Sequence, residues 1–130
     1  RTVVGLYLTS MAVADFNSDG KLDIVASDTG NSFLQLLKGN GDGTFQPQQT
    51  FAAGDNPSAV AVGDLNGDGF LDLVAANSFS NNFSALLGAG GGSFQTQRVF
   101  PGASLAFSLV GADFDRDGHL DIADVELRIP

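Results

Sequence analysis

One loop pattern, repeated at a fixed spacing, constrains this chain more than any other feature of its sequence. A leading Asp is followed by Asn or Asp two residues later, Asp at four, Gly at five and Asp at eight, and this pattern occurs three times. The leading residues are Asp15, Asp64 and Asp113, so successive copies lie 49 residues apart. A period of about 20–50 residues is typical of solenoids and propellers, in which each repeat is one supersecondary unit.

The sequence between the loops repeats as well. When the repeats are aligned on their loops, Phe33 matches Phe83 with an offset of one residue, whereas Phe45 matches Phe94 without an offset. The alignment therefore predicts one inserted residue before Phe83 and one deleted residue after Leu87. We expect a single repeat domain over 1–130, with units at 11–59, 60–108 and 109–130. Residues 1–10 are predicted to be the last strand of a preceding blade.

Each unit is predicted to contain four short strands. In the second unit they are expected at 59–62, 71–75, 83–87 and 95–100, separated by clusters of Gly, Asn and Asp. None of these segments has the length or the 3.6-residue periodicity of a helix. The expected fold class is all-β, with β-propeller blades of four antiparallel strands and the Asp-rich loop in the first hairpin of each blade.

Composition excludes several classes of function. The net charge of −9 argues against nucleic acid or an anionic membrane surface as a partner. No apolar run reaches the roughly 20 residues that span a bilayer, so no membrane insertion is expected. There are no cysteines, which removes disulfides, thiolate catalysis and zinc–thiolate sites. The chain begins at Arg1, without a recognisable signal peptide, which suggests a mature form or a fragment.

The acidic residues are concentrated in the repeated loops, which contain ten of the 15. Ca²⁺ takes six to eight hard oxygen ligands, and alternate side chains of a tight loop can converge on one ion. Glycine at the sixth position permits the sharp turn, and a backbone carbonyl at the seventh can join the side chains. Up to three Ca²⁺ ions are therefore predicted. The expected metal-binding positions are Asp15, Asn17, Asp19, Lys21 and Asp23; Asp64, Asn66, Asp68, Phe70 and Asp72; and Asp113, Asp115, Asp117, His119 and Asp121.

Two competing interpretations of the loops fit the sequence less well. Asp, Asn and Gly also form plain hairpin turns, but a plain turn does not require a further acid at the ninth position three times over. An EF-hand would require a bidentate Glu at the twelfth position, where this chain has Ala26, Ala75 and Asp124. It would also require flanking helices, whereas the flanks here are β-like.

The segments Ala-Asp-Phe-Asn-Ser-Asp-Gly-Lys-Leu-Asp (14–23) and Leu-Leu-Lys-Gly-Asn-Gly-Asp-Gly-Thr-Phe (36–45) resemble FG-GAP/VCBS repeats over residues 11–124. The resemblance implies blades of an integrin-α-like β-propeller, with calcium held by the Asp and Asn residues already named. It also implies a secreted or cell-surface protein, often an adhesion or ligand-binding module. The third copy departs from the family pattern after Asp121, so its later strands are missing.

The predicted function is therefore a non-enzymatic, calcium-binding extracellular module whose calcium is structural. The alternatives are a carbohydrate-binding propeller and structural blades of a larger secreted enzyme. His119, the only histidine, occupies a position where a backbone carbonyl would act, so no catalytic role is assigned to it. The ligand, protein or glycan, is not named by the sequence.

Two further expectations concern assembly and affinity. Two copies could supply the blades of one closed ring, which predicts a homodimer; the rival is a fragment of a longer propeller. The third loop has Asp115 where the others have Asn17 and Asn66, so its additional charge predicts the tightest calcium binding of the three.

Overall fold

The first repeat forms a four-stranded antiparallel sheet in a computed structural model that describes residues 8–102, 106–112, 116–117 and 121–126. Its strands lie side by side in chain order: β1 (Leu8–Ala14), β2 (Asp23–Asp28), β3 (Phe33–Leu37) and β4 (Gln49–Ala52). Along β1, more exposed and less exposed residues alternate, as expected where successive side chains point to opposite faces. β2 and β3 are buried along most of their length, so they form the centre of the sheet.

The second repeat forms a separate four-stranded antiparallel sheet of the same topology. Its strands are β5 (Pro57–Gly63), β6 (Asp72–Asn77), β7 (Asn82–Leu86) and β10 (Arg98–Pro101), again with neighbours in chain order. A two-stranded hairpin lies between β7 and β10 and contains β8 (Gly88–Gly90) and β9 (Ser93–Phe94). In the third repeat, β11 (Ala106–Ala112) pairs antiparallel with β12 (Asp121–Glu126).

The predicted all-β class and the four-stranded antiparallel units are confirmed. No helix occurs in the segments that the structure describes, so none there is long and apolar enough to cross a membrane. The Asp-rich loops at 15–22 and 64–71 join the first two strands of their sheets, as predicted. Closure of the sheets into a propeller remains a prediction.

The first strand of each unit begins earlier than the sequence pattern suggested. β1, β5 and β11 begin at Leu8, Pro57 and Ala106, so their starts follow the same spacing as the loops. Each shows the same register irregularity near its start. Residues 8–10 therefore belong to the first unit and not to a preceding blade, whereas residues 1–7 lie outside the described segments.

The predicted one-residue slip between the repeats is wrong. Asp28 pairs with Phe33, and Asn77, the counterpart of Asp28 in the second unit, pairs with Asn82. Phe33 therefore corresponds to Asn82 and not to Phe83, so the spacing of the loops continues through the third strands without an insertion. Successive side chains in a strand point to opposite faces of the sheet. The alignment of Phe33 with Phe83 therefore assigned both side chains to the same face, whereas the observed register places them on opposite faces.

The main hydrophobic core lies between the first two sheets. Val25 and Leu34 from the first sheet and Val60 and Leu73 from the second belong to one buried cluster. Phe94 of β9 reaches across to the first unit and makes edge-to-face contacts with Phe16 and Phe51, with ring centroids 6.1 and 4.9 Å apart. Phenylalanine rings of the two units therefore pack against one another in this core.

A second buried cluster covers the other face of the second sheet, and the first sheet has an apolar face of its own that is uncovered. The second cluster contains Ala59, Ala61, Val74, Ala76 and Ala85, and β11 lies against β5 and β6. On the first sheet, Met11, Val13 and Leu22 are 64%, 58% and 67% exposed. Their counterparts in the second unit, Val60, Val62 and Leu71, are in the core between the sheets. The same sequence positions are thus covered in the second unit and open in the first.

Candidate metal centre

The first loop is held in shape by its own aspartate and asparagine oxygens. Asp15 accepts hydrogen bonds from the backbone N–H groups of Gly20 at 2.8 Å and Asp19 at 3.1 Å. Asp19 in turn accepts from Lys21 N–H at 2.9 Å. Asn17 bonds twice to Asp19, because its Oδ1 accepts from Asp19 N–H at 3.2 Å and its Nδ2 donates to Asp19 Oδ2 at 3.0 Å. These bonds gather the side chains of Asp15, Asn17 and Asp19 around one tight turn.

The second loop repeats this network. Asp64 accepts from the N–H groups of Gly69 at 2.9 Å and Asp68 at 3.2 Å. Asp68 accepts from Phe70 N–H at 2.9 Å, and Asn66 Nδ2 donates to Asp68 Oδ2 at 3.2 Å. Two loops with different intervening residues therefore reach the same conformation.

Left-handed backbone at two positions makes this turn possible. Gly20 and Gly69, at the sixth position, have φ of 83° and 86°, and a Cβ there would meet no atom within 4 Å. The fourth position is also left-handed in all three repeats, with φ of 60° at Ser18, 74° at Gly67 and 62° at Arg116. The glycine at the sixth position was expected from the sequence, but the left-handed fourth position was not, because only the second repeat has glycine there.

The aspartate at the ninth position has a separate structural role. Asp23 is fully buried; its Oδ2 accepts from Phe16 N–H at 3.0 Å and its Oδ1 from Gly39 N–H at 2.8 Å. Asp72 makes the equivalent bonds to Leu65 N–H at 2.7 Å and Gly88 N–H at 2.7 Å. The ninth acid therefore ties the Asp-rich loop to the glycine-rich turn that follows the third strand. This role supplies a reason for its recurrence besides metal binding.

Hydrogen bonding favours the ionised form of the exposed loop acids. The pKa of Asp19 is lowered, chiefly by the hydrogen bond from Lys21 N–H and further by Asn17 and by the positive charges of Lys21 and Lys38. The pKa of Asp64 is lowered, chiefly by Gly69 N–H and then by other loop N–H groups. Both carboxylates are thus acceptor-only oxygens at neutral pH.

The described part of the chain contains no group of three or more His, Asp or Glu side chains that alone could hold a metal ion. Each described loop instead brings together two carboxylates and one amide oxygen, while Asp23 and Asp72 are bound by backbone amides. Of the third loop, Asp117 is exposed and Asp121 opens β12, its backbone paired with that of Ala112. The candidates Asp113, Asp115 and His119 lie outside the described segments.

One charged residue beside the first loop was not identified from the sequence. Lys38, directly after β3, donates from Nζ to the carbonyl oxygen of Gly91 at 2.9 Å, across to the second unit. Its counterpart in the second unit is Leu87, and this difference was concealed by the incorrect slip, which matched Leu37 to Leu87. Keeping the spacing of the loops constant through the third strand would have identified it.

Antiparallel four-stranded sheets, repeated with one loop geometry, define a β-repeat protein whose units are consistent with propeller blades. The sequence model of the FG-GAP-like repeat family matches residues 15–75 and 64–123. The chain therefore belongs to the FG-GAP-like repeat family. No curated protein matches it as a relative.

Proposed function

We propose that the chain is a non-enzymatic repeat module in which Ca²⁺ ions bound at the Asp-rich loops stabilise the blades. The observation that carries the proposal is the gathering of two carboxylates and one amide around a single turn in each described loop. Carboxylate, amide and backbone carbonyl oxygens are the donors that Ca²⁺ prefers. The donor set contains no thiolate, and the only imidazole is that of His119.

The oxygen donors of each loop fit calcium, and its residues would divide into those that bind the ion and one that anchors the loop. Asp15, Asn17 and Asp19 would bind the ion together with the backbone carbonyl of Lys21. Asp23 would anchor the loop and add an oxygen only through lone pairs that its two amide bonds leave free, since a carboxylate has about four acceptor positions. The second loop would use Asp64, Asn66, Asp68 and the carbonyl of Phe70, with Asp72 as anchor. By sequence repetition, the third would use Asp113, Asp115, Asp117, Asp121 and the carbonyl of His119.

We further propose a secreted or cell-surface location and an adhesion or ligand-binding role. Extracellular calcium modules bind with Kd of roughly 10⁻⁴–10⁻³ M, which suits exposed loops that the backbone already satisfies in part. Calcium would then supply the stabilisation that disulfides give to other extracellular domains, because this chain has no cysteine.

The proposed assembly is a homodimer formed through the open face of the first sheet. Met11, Val13 and Leu22 occupy the positions whose counterparts in the second sheet pack against the first. Since the repeat preserves the shape of the sheet, this face suits another blade of the same kind, supplied by the third repeat of a second copy. Sedimentation should show a dimer that Val13→Lys dissociates and Phe79→Lys, at an exposed residue of the β6–β7 turn, does not. A monomer at every concentration would contradict the dimer.

The calcium proposal is tested by thermal unfolding with and without a chelator, together with native mass spectrometry to count bound ions. At a tenfold excess over Kd, each occupied site adds about 1.4 kcal/mol. EDTA should lower Tm, Ca²⁺ should restore it, and Mg²⁺ should restore little. Asp64→Asn should reduce the calcium-dependent shift, whereas Asp42→Asn, in the glycine-rich turn outside the loops, should not. A Tm unchanged by EDTA, with no ions counted, would refute the proposal.

A further inference from the structure

The two described loops share one hydrogen-bond network, to which the second adds a bond from Gly67 N–H to Asp64 Oδ1 at 2.8 Å, but their charged neighbours differ. At the seventh loop position the first repeat has Lys21 and the second has Phe70. After the third strand, the first repeat has Lys38 and the second has Leu87. Two lysines beside the first loop are thus replaced by two apolar residues at the same positions beside the second.

Lys38 is held close to the first loop by the neighbouring unit. Its ammonium group donates to the Gly91 carbonyl oxygen at 2.9 Å, and its side chain is half-buried. A Cβ built on Gly92 would lie 2.6 Å from Lys38 Cε and 3.4 Å from Asn17 Cβ. The side chains of Lys38 and Asn17 therefore pass the same buried glycine, which fixes the lysine on the side of the loop that faces the second unit.

The side chain of Lys21, the seventh residue of the first loop, lies against the glycine-rich turn of its own unit. Its aliphatic stem would be 3.3 Å from a Cβ on Gly41, in the glycine-rich turn of its own unit. The charges of both lysines act on the carboxylate of Asp19 and contribute to its lowered pKa. Two positive charges thus lie near enough to the first loop to favour the ionised form of Asp19.

We propose that Lys21 and Lys38 act as built-in counter-ions that make the first loop a weaker divalent-cation site than the second. This inference rests on the proposed calcium function. A bound Ca²⁺ at the first loop is repelled by both ammonium groups, whereas the second loop offers the same oxygens beside Phe70 and Leu87. The first loop, neutralised in part without metal, also depends less on calcium for its stability.

Amide NMR can measure the two loops separately in the intact chain during a calcium titration. The N–H groups of Gly20 and Gly69 donate to Asp15 Oδ2 and Asp64 Oδ2, so each reports its own loop. Gly20 should reach half-saturation at a higher calcium concentration than Gly69. Lys38→Met and Lys21→Met should each lower the Gly20 midpoint roughly threefold or more at low salt, because each removes one unit of positive charge close to the ion. The Gly69 midpoint should not move.

Charge-preserving and reciprocal variants provide the controls. Lys38→Arg should leave the Gly20 midpoint unchanged, and Leu87→Lys should raise the midpoint of Gly69 alone. The difference between the loops should shrink as salt is raised from about 0.01 M to about 1 M, because the screening length falls from about 30 to about 3 Å. If both glycines respond with equal midpoints, or neither Met variant moves Gly20, the inference fails while the calcium proposal stands. If neither glycine responds to calcium, both fail.

Discussion

The Asp23 carboxylate accepts a 2.8 Å hydrogen bond from the backbone N–H of Gly39, sixteen residues away, and thereby joins the Asp-rich loop to the turn after the third strand. The same link recurs between Asp72 and Gly88 at 2.7 Å. In both units the glycine lies so close to the preceding loop that a side chain would not fit. This contact therefore holds the Asp-rich loop against the glycine-rich turn in both units.

Replacing Asp23 by Asn is expected to destabilise the fold even without calcium. The carboxylate is fully buried and accepts two backbone N–H groups, whereas an amide has one oxygen and would direct its NH₂ group at a donor. We expect a loss of about 2–4 kcal/mol in the free energy of unfolding, measured by urea denaturation in EDTA. Asp42→Asn, at an exposed turn, should cost much less. If the loss at Asp23 appeared only when calcium is present, Asp23 would be a metal ligand and not an anchor.

Gly39→Ala is expected to cost more than an alanine at a left-handed glycine. A Cβ on Gly39 would lie 2.1 Å from the carbonyl oxygen of Leu22, and backbone on both sides must shift to relieve the clash. We expect a loss of about 2–3 kcal/mol or more. Gly43, with φ of 90° and open space around a Cβ, provides the comparison and should lose only about 1–2 kcal/mol. Equal losses in chemical denaturation would show that the close approach to Leu22 is not limiting.

Ser18→Gly is expected to stabilise the first loop. Ser18 adopts φ of 60°, where a Cβ costs about 1–2 kcal/mol, and glycine removes that cost at an entropic penalty of about 0.5–1 kcal/mol. The net gain should be about 0.5 kcal/mol, with a similar loss for the reverse change Gly67→Ser. Thr50→Gly, at an exposed position of β4, should destabilise instead. Tm measured by circular dichroism in excess calcium would decide, and a lower Tm for Ser18→Gly would contradict the argument.

Stability should fall in acid because three exposed carboxylates have a lowered pKa in the folded state. Asp19 and Asp64 are stabilised in the ionised form chiefly by loop N–H groups, and Asp42 chiefly by the Thr44 hydroxyl, all below the usual value of 3.8. The unfolded chain binds protons first as the pH drops, so the contribution is complete above about pH 4–5 and is lost as the pH falls through the lower folded values. Melts from pH 7 to pH 2 in EDTA should show this decline. Asp42→Asn should make it shallower, and an identical profile for that variant would exclude Asp42 from the effect.

The sequence by itself determined the repeat, the all-β fold class and the oxygen-bearing residues of the loops. Asp, Asn and Gly at fixed offsets from Asp15 are local signals, because side chains two to five residues apart bond to one another's backbone whatever surrounds them. The constant spacing of the loops predicted one sheet per unit, since identical local patterns form identical local structure. Family membership follows from the same residues.

Only the tertiary structure decided where the ninth acid points, which faces are covered and what lies beside each loop. Asp23 bonds to Gly39 and Lys38 to Gly91, far along the chain in both cases, and such partners depend on how the sheets stack. Residue type alone also misaligned Phe33 with Phe83, because strand register is set by pairing across the sheet and not by similarity along the chain. The sequence thus determines the hydrogen bonds within each loop. The burial of Val60 and the exposure of its counterpart Met11 depend instead on which sheet lies next to each residue.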